Sequence, residues 1–361
     1  MITYKKWGKL FHGSLAIAIS VFFFVGLGFS QVTKENEECK KVEIREASGI
    51  ARLGDKLVIV DDGKPGTYYP FDAPKAGTDI IPIPKLCGVK IPDGKQSQLG
   101  IDLEAIDILA NSQVVVLSER LRALIGKDGI LTEYDSPLSE LGNRGLEGLA
   151  VRTLDNGSSR VAVLWEGGYP EKNDLPLQLQ DLVGTIPFFP IIWVHDVGRN
   201  GELIQSSCKE NPNPCRKLKE KDALKHLRLD VPKPQGTEPF AQRFRAPDLV
   251  WHQWDQMQNG KKEWGFIVLL SSESTDSQLP PDERFKHKWL QRFTMEGRPF
   301  SGPLDLSDVI EKGSASDKNK LKKANWEGLG WFEEGERLVL VYDDKKATPV
   351  AFLVTIPNDW K

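Results

Sequence analysis

Short apolar runs punctuated by turn residues recur along this chain, and each pair of runs is introduced by one phrase: an acidic residue, a small residue, an aliphatic residue. Asp102-Leu103-Glu104-Ala105-Ile106 precedes Val114-Val115-Val116-Leu117-Ser118-Glu119. Gly145-Leu146-Glu147-Gly148-Leu149 precedes Val161-Ala162-Val163-Leu164-Trp165-Glu166, and Asn325-Trp326-Glu327-Gly328-Leu329 precedes Leu338-Val339-Leu340-Val341-Tyr342-Asp343. Two weaker copies are Glu46-Ala47-Ser48-Gly49-Ile50 before Leu57-Val58-Ile59-Val60-Asp61-Asp62, and Ala246-Pro247-Asp248-Leu249-Val250 before Phe266-Ile267-Val268-Leu269-Leu270-Ser271. A fixed internal repeat identifies the architecture before any single residue does.

The second run of each copy is nearly continuous in Val, Leu and Ile, which suits a strand covered on both faces. Turn residues such as Asn111-Ser112, Asp155-Asn156-Gly157 and Glu334-Gly335 separate the two runs, so each pair predicts a β-hairpin. Further strand–turn–strand patterns follow at Ala123–Leu131, Ile191–Ile204 and Trp289–Phe300. Four antiparallel strands per repeat, arranged radially, make an all-β β-propeller of five or six four-stranded blades. A sixth, degenerate blade has room in the long interval between Glu147 and Asp248. The chain stops one strand short after Val350–Ile356, and Val42–Arg45 precedes the first phrase without a hairpin of its own. This predicts closure by an N-terminal strand on the last blade, Val42–Arg45 beside Val350–Ile356, leaving no open edge. A single propeller domain therefore spans residues 41–357. Residues 208–239 read as an insertion carrying a short amphipathic helix over Lys217–Leu227, and Asp305–Lys323 as a polar surface loop.

Composition removes some functions. The net charge is −3, without the basic stripe a nucleic-acid binder needs, so no nucleic-acid partner is expected. Lys5, Lys6 and Lys9 precede an apolar run from Leu15 to Phe29, followed by Gly28 and Ser30 at the spacing of a cleavage site. Residues 1–30 thus read as a secretory signal peptide. The alternative is an uncleaved membrane anchor, although the run is shorter than the ~20 residues of a comfortable spanning helix. Both place the rest of the chain outside the cytoplasm, periplasmic or secreted, with membrane contact only if the segment is retained; a monomer is expected. The four cysteines agree with export. Cys208 and Cys215 bracket a turn-rich Asn-Pro-Asn-Pro loop and would pair, leaving Cys39 with Cys87; four free thiols are the alternative.

Strand direction turns the repeat into a geometric expectation. The start of each first strand and the end of each second lie on one face, and first strands line a propeller's channel. Glu104, Glu147, Asp248 and Glu327 are expected near one mouth, with Ser48 in their place in the first blade. Asp61, Asp62, Glu119, Glu166, Asp343 and Asp344 are expected further out on the same face. Such carboxylates need protons, arginines (Arg120, Arg144 and Arg245 lie close in sequence) or a metal. An all-oxygen donor set favours Ca²⁺ or Mg²⁺ over zinc. The alternative is structural: an acid at the start of an inner strand accepts backbone N–H groups of the next blade. His195, His252, Trp251 and Trp254 read as packed residues, and no nucleophile elbow, zincin helix or P-loop occurs.

The phrases Asn143-Arg144-Gly145-Leu146-Glu147-Gly148-Leu149-Ala150-Val151 and Asn325-Trp326-Glu327-Gly328-Leu329-Gly330-Trp331, with the opening Ser48-Gly49-Ile50, resemble the β-propeller family called "esterase-like activity of phytase". Related calcium-binding propellers, including the SdiA-regulated type, use similar phrases. The resemblance spans about Lys41 to Pro357 outside the insertion; Ala105 replaces a glycine of the pattern, and the copy at Asp248 departs from it. It implies an exported propeller hydrolysing phosphate or carboxylic esters, with matching positions Ser48, Glu104, Arg144, Glu147 and Glu327. On that reading Glu104, Glu147, Asp248 and Glu327 hold Ca²⁺, Glu147 or Glu327 is the base, Arg144 stabilises developing charge, and Arg120 and Arg245 bind substrate. The competing reading is a non-catalytic, calcium-stabilised propeller that binds a ligand, an envelope component or a partner protein.

Overall fold

The computed structural model describes residues 39–74, 79–91, 102–135, 145–167, 189–199, 201–204, 216–231, 242–255, 262–274, 288–307, 325–343 and 350–360. Blade 1 is built from β1 (Ala47–Leu53), β2 (Lys56–Asp61) and β3 (Thr67–Asp72). The chain then sends β4 (Ile80–Pro82) away, and β5 (Val89–Lys90) returns to pair with β3 on the outside. Blade 2 comprises β6 (Leu103–Ile108), β7 (Val114–Ser118), β8 (Ala123–Gly126) and β9 (Gly129–Asp135). Blade 3 comprises β10 (Leu146–Thr153), β11 (Ser159–Trp165), β12 (Ile191–Val197) and β13 (Leu203–Ile204).

Two short strands follow. β14 (Lys217–Lys219) pairs in parallel with β9, and β15 (Lys225–Arg228) pairs with β12, with a 3-10 turn at Glu220–Asp222 between them. The helix expected over Lys217–Leu227 is therefore replaced by strands that stitch blade 2 to blade 3. The alternation in Lys-Leu-Lys buries Leu218 between exposed lysines, a period of two rather than 3.6. Blade 4 comprises β16 (Gln242–Asp255), β17 (Lys262–Ser274), β18 (Lys288–Thr294) and β19 (Pro299–Asp305); blade 5 comprises β20 (Asn325–Glu333), β21 (Arg337–Asp343) and β22 (Val350–Thr355). Five sheets form among the described residues, and the long interval before Asp248 holds no sixth blade there.

An early strand closes the ring on the last blade, but a different one from that expected. β4, not Val42–Arg45, pairs with β22, with Ile80 opposite Phe352 and Ile81 opposite Ala351. Val42–Arg45 lies close by. Val42 bridges Leu86, Glu46 bridges Asp343, and Ile44 is buried in the same cluster as Ile81, Ala351 and Leu353. The core is divided into five layers, each filled by two neighbouring blades. For example, Ile106 and Val116 meet Val58 and Val60, while Trp326 and Phe352 meet Ile267 and Leu290. Residues 57–60 of β2 are fully buried, as their unbroken apolar run requires.

Every inner strand carries a one-residue β-bulge near its start: between Ala47 and Gly49, Leu103 and Ala105, Leu146 and Gly148, Arg245 and Asp248, and Trp326 and Gly328. A bulge leaves an unpaired residue and re-aims its side chain. Just after it the inner strands of adjacent blades nearly touch. A Cβ on Gly49 would come within 2.8 Å of the Ala105 Cα, and one on Gly328 within 2.9 Å of the Gly49 Cα. The small residue of the repeat is thus set by blade-to-blade approach. Cys39 and Cys87 are both disulfide-bonded; Cys208 and Cys215 lie outside the described residues. Among those residues no helix is long and apolar enough to cross a membrane, and residues 1–30 are not among them.

Candidate functional site

The bulges arrange the mouth in three tiers. The bulged residue is Ser48, Glu104, Glu147 or Glu327 in four blades and lies within Ala246-Pro247 in blade 4. Two residues before the small position's predecessor come Glu46, Asp102, Gly145, Arg245 and Asn325. At the matching position on the second strand, at or near its end, stand Asp62, Glu119, Glu166, Ser271 and Asp343. Four blades each present two or three acids, while blade 4 offers Arg245 and Ser271 instead.

Asp248 does not join this mouth. The register puts it opposite Leu269, as Gly148 is opposite Leu164, so it occupies the small-residue position one place later than Glu147. A one-residue slip sends a side chain to the other face. Its Oδ1 accepts the N–H of Leu249 at 2.8 Å and of Leu149 at 3.2 Å, and its Oδ2 that of Leu329 at 2.7 Å. Asp248 fastens blades 3, 4 and 5 together, in place of the metal-ligand role expected of it. Burial pushes its pKa well above the carboxylate range, against these hydrogen bonds, which lower it. Ser48 is a fastener too, its hydroxyl donating to the Leu103 carbonyl at 2.6 Å. Asp61 accepts the N–H of Arg45 at 2.9 Å.

Asp62, Asp102 and Glu104 converge. Each has a carboxylate oxygen within 4.8 Å of the other two. A hydrogen bond that the protonated Asp62 carboxyl donates to Asp102, then desolvation, pushes the Asp62 pKa up to about 8. Burial, with Glu147, Asp102, Glu119 and Asp62 nearby, holds Glu104 well above its ordinary value. Burial and the charge of Asp102 raise Glu119 to about 7, although the Gly145 N–H opposes the shift. The buried Oε1 of Glu119 has no hydrogen-bond partner among the described residues. Buried oxygens without donors, and carboxylates crowded enough to hold protons, mark a place where a hard cation is electrostatically complementary. The donor set is all oxygen, which fits Ca²⁺ or Mg²⁺.

The other side of the mouth is self-compensated. Arg245 donates its Nε to Glu166 Oε1 and sets its Nη2 3.7 Å from Glu327 Oε1. Its Nη1 donates to Asn325 Oδ1 at 3.4 Å, and the Asn325 amide donates to Glu327. Glu166 is 1% exposed, so this pair is desolvated. Arg245, expected to bind substrate, is occupied by the protein's own carboxylates. Glu147 is buried at 8% exposure and raises Glu104 by its charge. Arg120 is exposed in the turn after β7, and Arg144 and Asp344 lie outside the described residues.

Glu104, Glu147, Glu119, Asp62 and Glu327 thus share one face, whereas Asp248 takes the alternative role expected of such acids, that of backbone acceptor between blades, and not that of metal ligand. Sequence reasoning left out Asp102 and Glu46, which the phrase contains one bulge before the acid it emphasised. His195 and His252 are buried as expected; the ring of His252 pairs with the Trp360 carbonyl at 2.7 Å, and burial lowers His195 to about 3.

No protein-family model matches the sequence, and no curated protein matches it. Solved structures do align. A thermostable family-43 glycoside hydrolase is 8% identical, covering 88% of this chain and 91% of its own, at a TM-score of 0.38. A streptogramin B lyase is 10% identical (88% and 96%, TM-score 0.32), and a luciferin-regenerating enzyme 9% identical (89% and 94%, TM-score 0.33). This chain is a five-bladed β-propeller, and no activity is drawn from such distant likenesses.

Proposed function

We propose that the acidic mouth binds a hard divalent cation, Ca²⁺ in the first instance, and uses it to engage a phosphate or carboxylic ester on an exported propeller. The observation that carries this reading is the convergence of Asp62, Asp102 and Glu104, with their ligand oxygens within 4.8 Å of one another. These three side chains would hold the ion, with Glu119 and Glu147 beside them. A bound cation supplies positive charge to substrate oxygens and acidifies a bound water. Glu147, pressed against Glu104, would take up the proton. The resemblance to the esterase-like phytase propellers supports an ester as substrate, and the disulfide-bonded Cys39 and Cys87 support an oxidising compartment. The test is turnover of p-nitrophenyl phosphate and p-nitrophenyl acetate with Ca²⁺ and with EGTA. Hydrolysis abolished by EGTA and by Glu147→Gln supports the enzyme reading.

A specific observation favours the non-catalytic alternative. Arg245 is already committed to Glu166 and Glu327, and the Ser48 hydroxyl is committed to Leu103, so neither is available to a substrate as the site stands. On this second reading the cation only stabilises a propeller that binds an envelope ligand or partner. It requires Ca²⁺-dependent melting with no turnover on either ester.

A further inference from the structure

We propose that the end of the channel opposite the acidic mouth is a second ligand site, shaped for a small organic ammonium ion with an apolar body. A cavity of about 310 Å³ lies there, walled by the late residues of the inner strands of all five blades, among them Asp107, Val151, Trp251 and Trp331. Its volume is at the lower end of the range for small-molecule sites, roughly 300–1,000 Å³. It shares no residue with the acidic cluster and does not depend on the function proposed for that cluster.

Two carboxylates give the cavity its charge. Asp107 is held in one orientation: its Oδ1 accepts its neighbour Ile108's N–H at 2.7 Å and its Oδ2 that of Val151 at 2.6 Å. Each oxygen keeps a further lone pair. Glu334 stands on the β20–β21 turn, near enough for its charge to act on Asp107. Neither carboxylate is ion-paired among the described residues. Arg52, the cation at the rim, is paired with neither: its Nε donates to the Gly54 carbonyl at 2.9 Å and its Nη1 to the Phe332 carbonyl, with the guanidinium 5.2 Å from the Phe332 ring centroid.

The aromatic walls have spent their polar edges. The Trp331 indole N–H donates to the Trp251 carbonyl at 2.8 Å, and the Trp251 indole N–H to the Ala150 carbonyl at 3.1 Å. Both rings are fixed and have no donor left, and Trp251 is 4% exposed with Phe266 at 4.4 Å and the Arg152 guanidinium at 4.9 Å from its ring, which leaves the half-buried Trp331 as the main aromatic wall. An aromatic wall beside two carboxylates that outnumber the one lining cation attracts a further cation. A neutral alcohol would satisfy the acceptors but leave both charges unbalanced, and an anion would be repelled. Burial already holds Asp107 up at about 7, a cost that an adjacent ammonium group offsets.

The test is calorimetric titration of the full protein, in EDTA, with benzylamine, benzyl alcohol and benzoate. Benzylamine is expected to bind about tenfold or more tightly than either of the others. Glu334→Gln, a change at an exposed turn, should weaken benzylamine several-fold without moving the melting temperature, and Glu104→Gln should leave its binding unchanged. Equal binding of benzyl alcohol, no heat from benzylamine at millimolar concentration, or loss in Glu104→Gln but not in Glu334→Gln would overturn the proposal.

Discussion

The Asp248 carboxylate of the fourth blade accepts the backbone N–H of Leu329 in the fifth at 2.7 Å, while its other oxygen reaches that of Leu149 in the third at 3.2 Å. One side chain thus joins three of the five inner strands at the channel wall. Asp248→Asn keeps one acceptor and turns an amide N–H₂ toward backbone donors. The variant should lose about 2–4 kcal/mol in urea unfolding, the scale of one or two buried groups left unsatisfied. Its response to Ca²⁺ should match wild type. Unchanged stability, with the Ca²⁺ response lost, would return Asp248 to the metal site.

The Arg245–Glu166 pair makes the opposite kind of statement. With Glu166 1% exposed, removing the arginine strands a buried charge. Arg245→Gln should destabilise by about 3–5 kcal/mol, the usual cost of breaking a buried pair, and Arg245→Gln/Glu166→Gln should recover most of it. A double variant no more stable than the single one would mean that Glu166 is held by something other than Arg245.

The crowded acids give stability a characteristic pH dependence. Asp62, Glu104 and Glu119 all have folded pKa values above their ordinary ones, Asp62 at about 8 and Glu119 at about 7. The folded state therefore holds their protons more tightly than the unfolded chain. The resulting stability is present below about pH 4, near the unfolded carboxylate values, and is lost as pH rises through 7 and 8. In EDTA the melting temperature should fall between pH 5 and pH 8, and saturating Ca²⁺ should flatten that fall. A metal-free melting temperature that climbs over this interval contradicts the arrangement.

Ring closure through β4 is tested at Ile81, 4% exposed in the layer shared by the first and last blades. Ile81→Ala should cost about 2–4 kcal/mol, as large-to-small changes in cores do. Val89→Ala on the outer strand of blade 1, 39% exposed, should cost less than about 0.5 kcal/mol.

The legible and illegible parts of the sequence divide along physical lines. The doubly buried runs Leu57–Val60 and Leu338–Val341 announced second strands because both faces are covered. The closing strand was hidden because Ile80–Pro82 is three residues long, sits in a Pro-punctuated stretch that reads as loop, and is tolerated only because proline can occupy an edge strand. Blade 4 misled for a different reason. Its bulge spans Ala246-Pro247, so the acid arrives one residue late and faces the neighbouring strands' N–H groups instead of the mouth. Pattern alone does not give bulge phase, and at the mouth the phase separates a fastener from a ligand. Asp102 went unassigned because its partnership with Asp62 crosses from blade 2 to blade 1, which no spacing within one repeat reveals.

The central claim is that Asp62, Asp102 and Glu104 form a hard-cation site, and thermal melting with increasing Ca²⁺ tests it most directly. The protein should melt higher as Ca²⁺ is added, by on the order of 5 °C at one hundred times the dissociation constant. The Asp102→Asn/Glu104→Gln variant, relieved of its repulsion, should melt higher than wild type in EDTA and no longer respond to the ion. A wild-type curve indifferent to both Ca²⁺ and Mg²⁺, or a variant that responds as wild type does, would contradict the account.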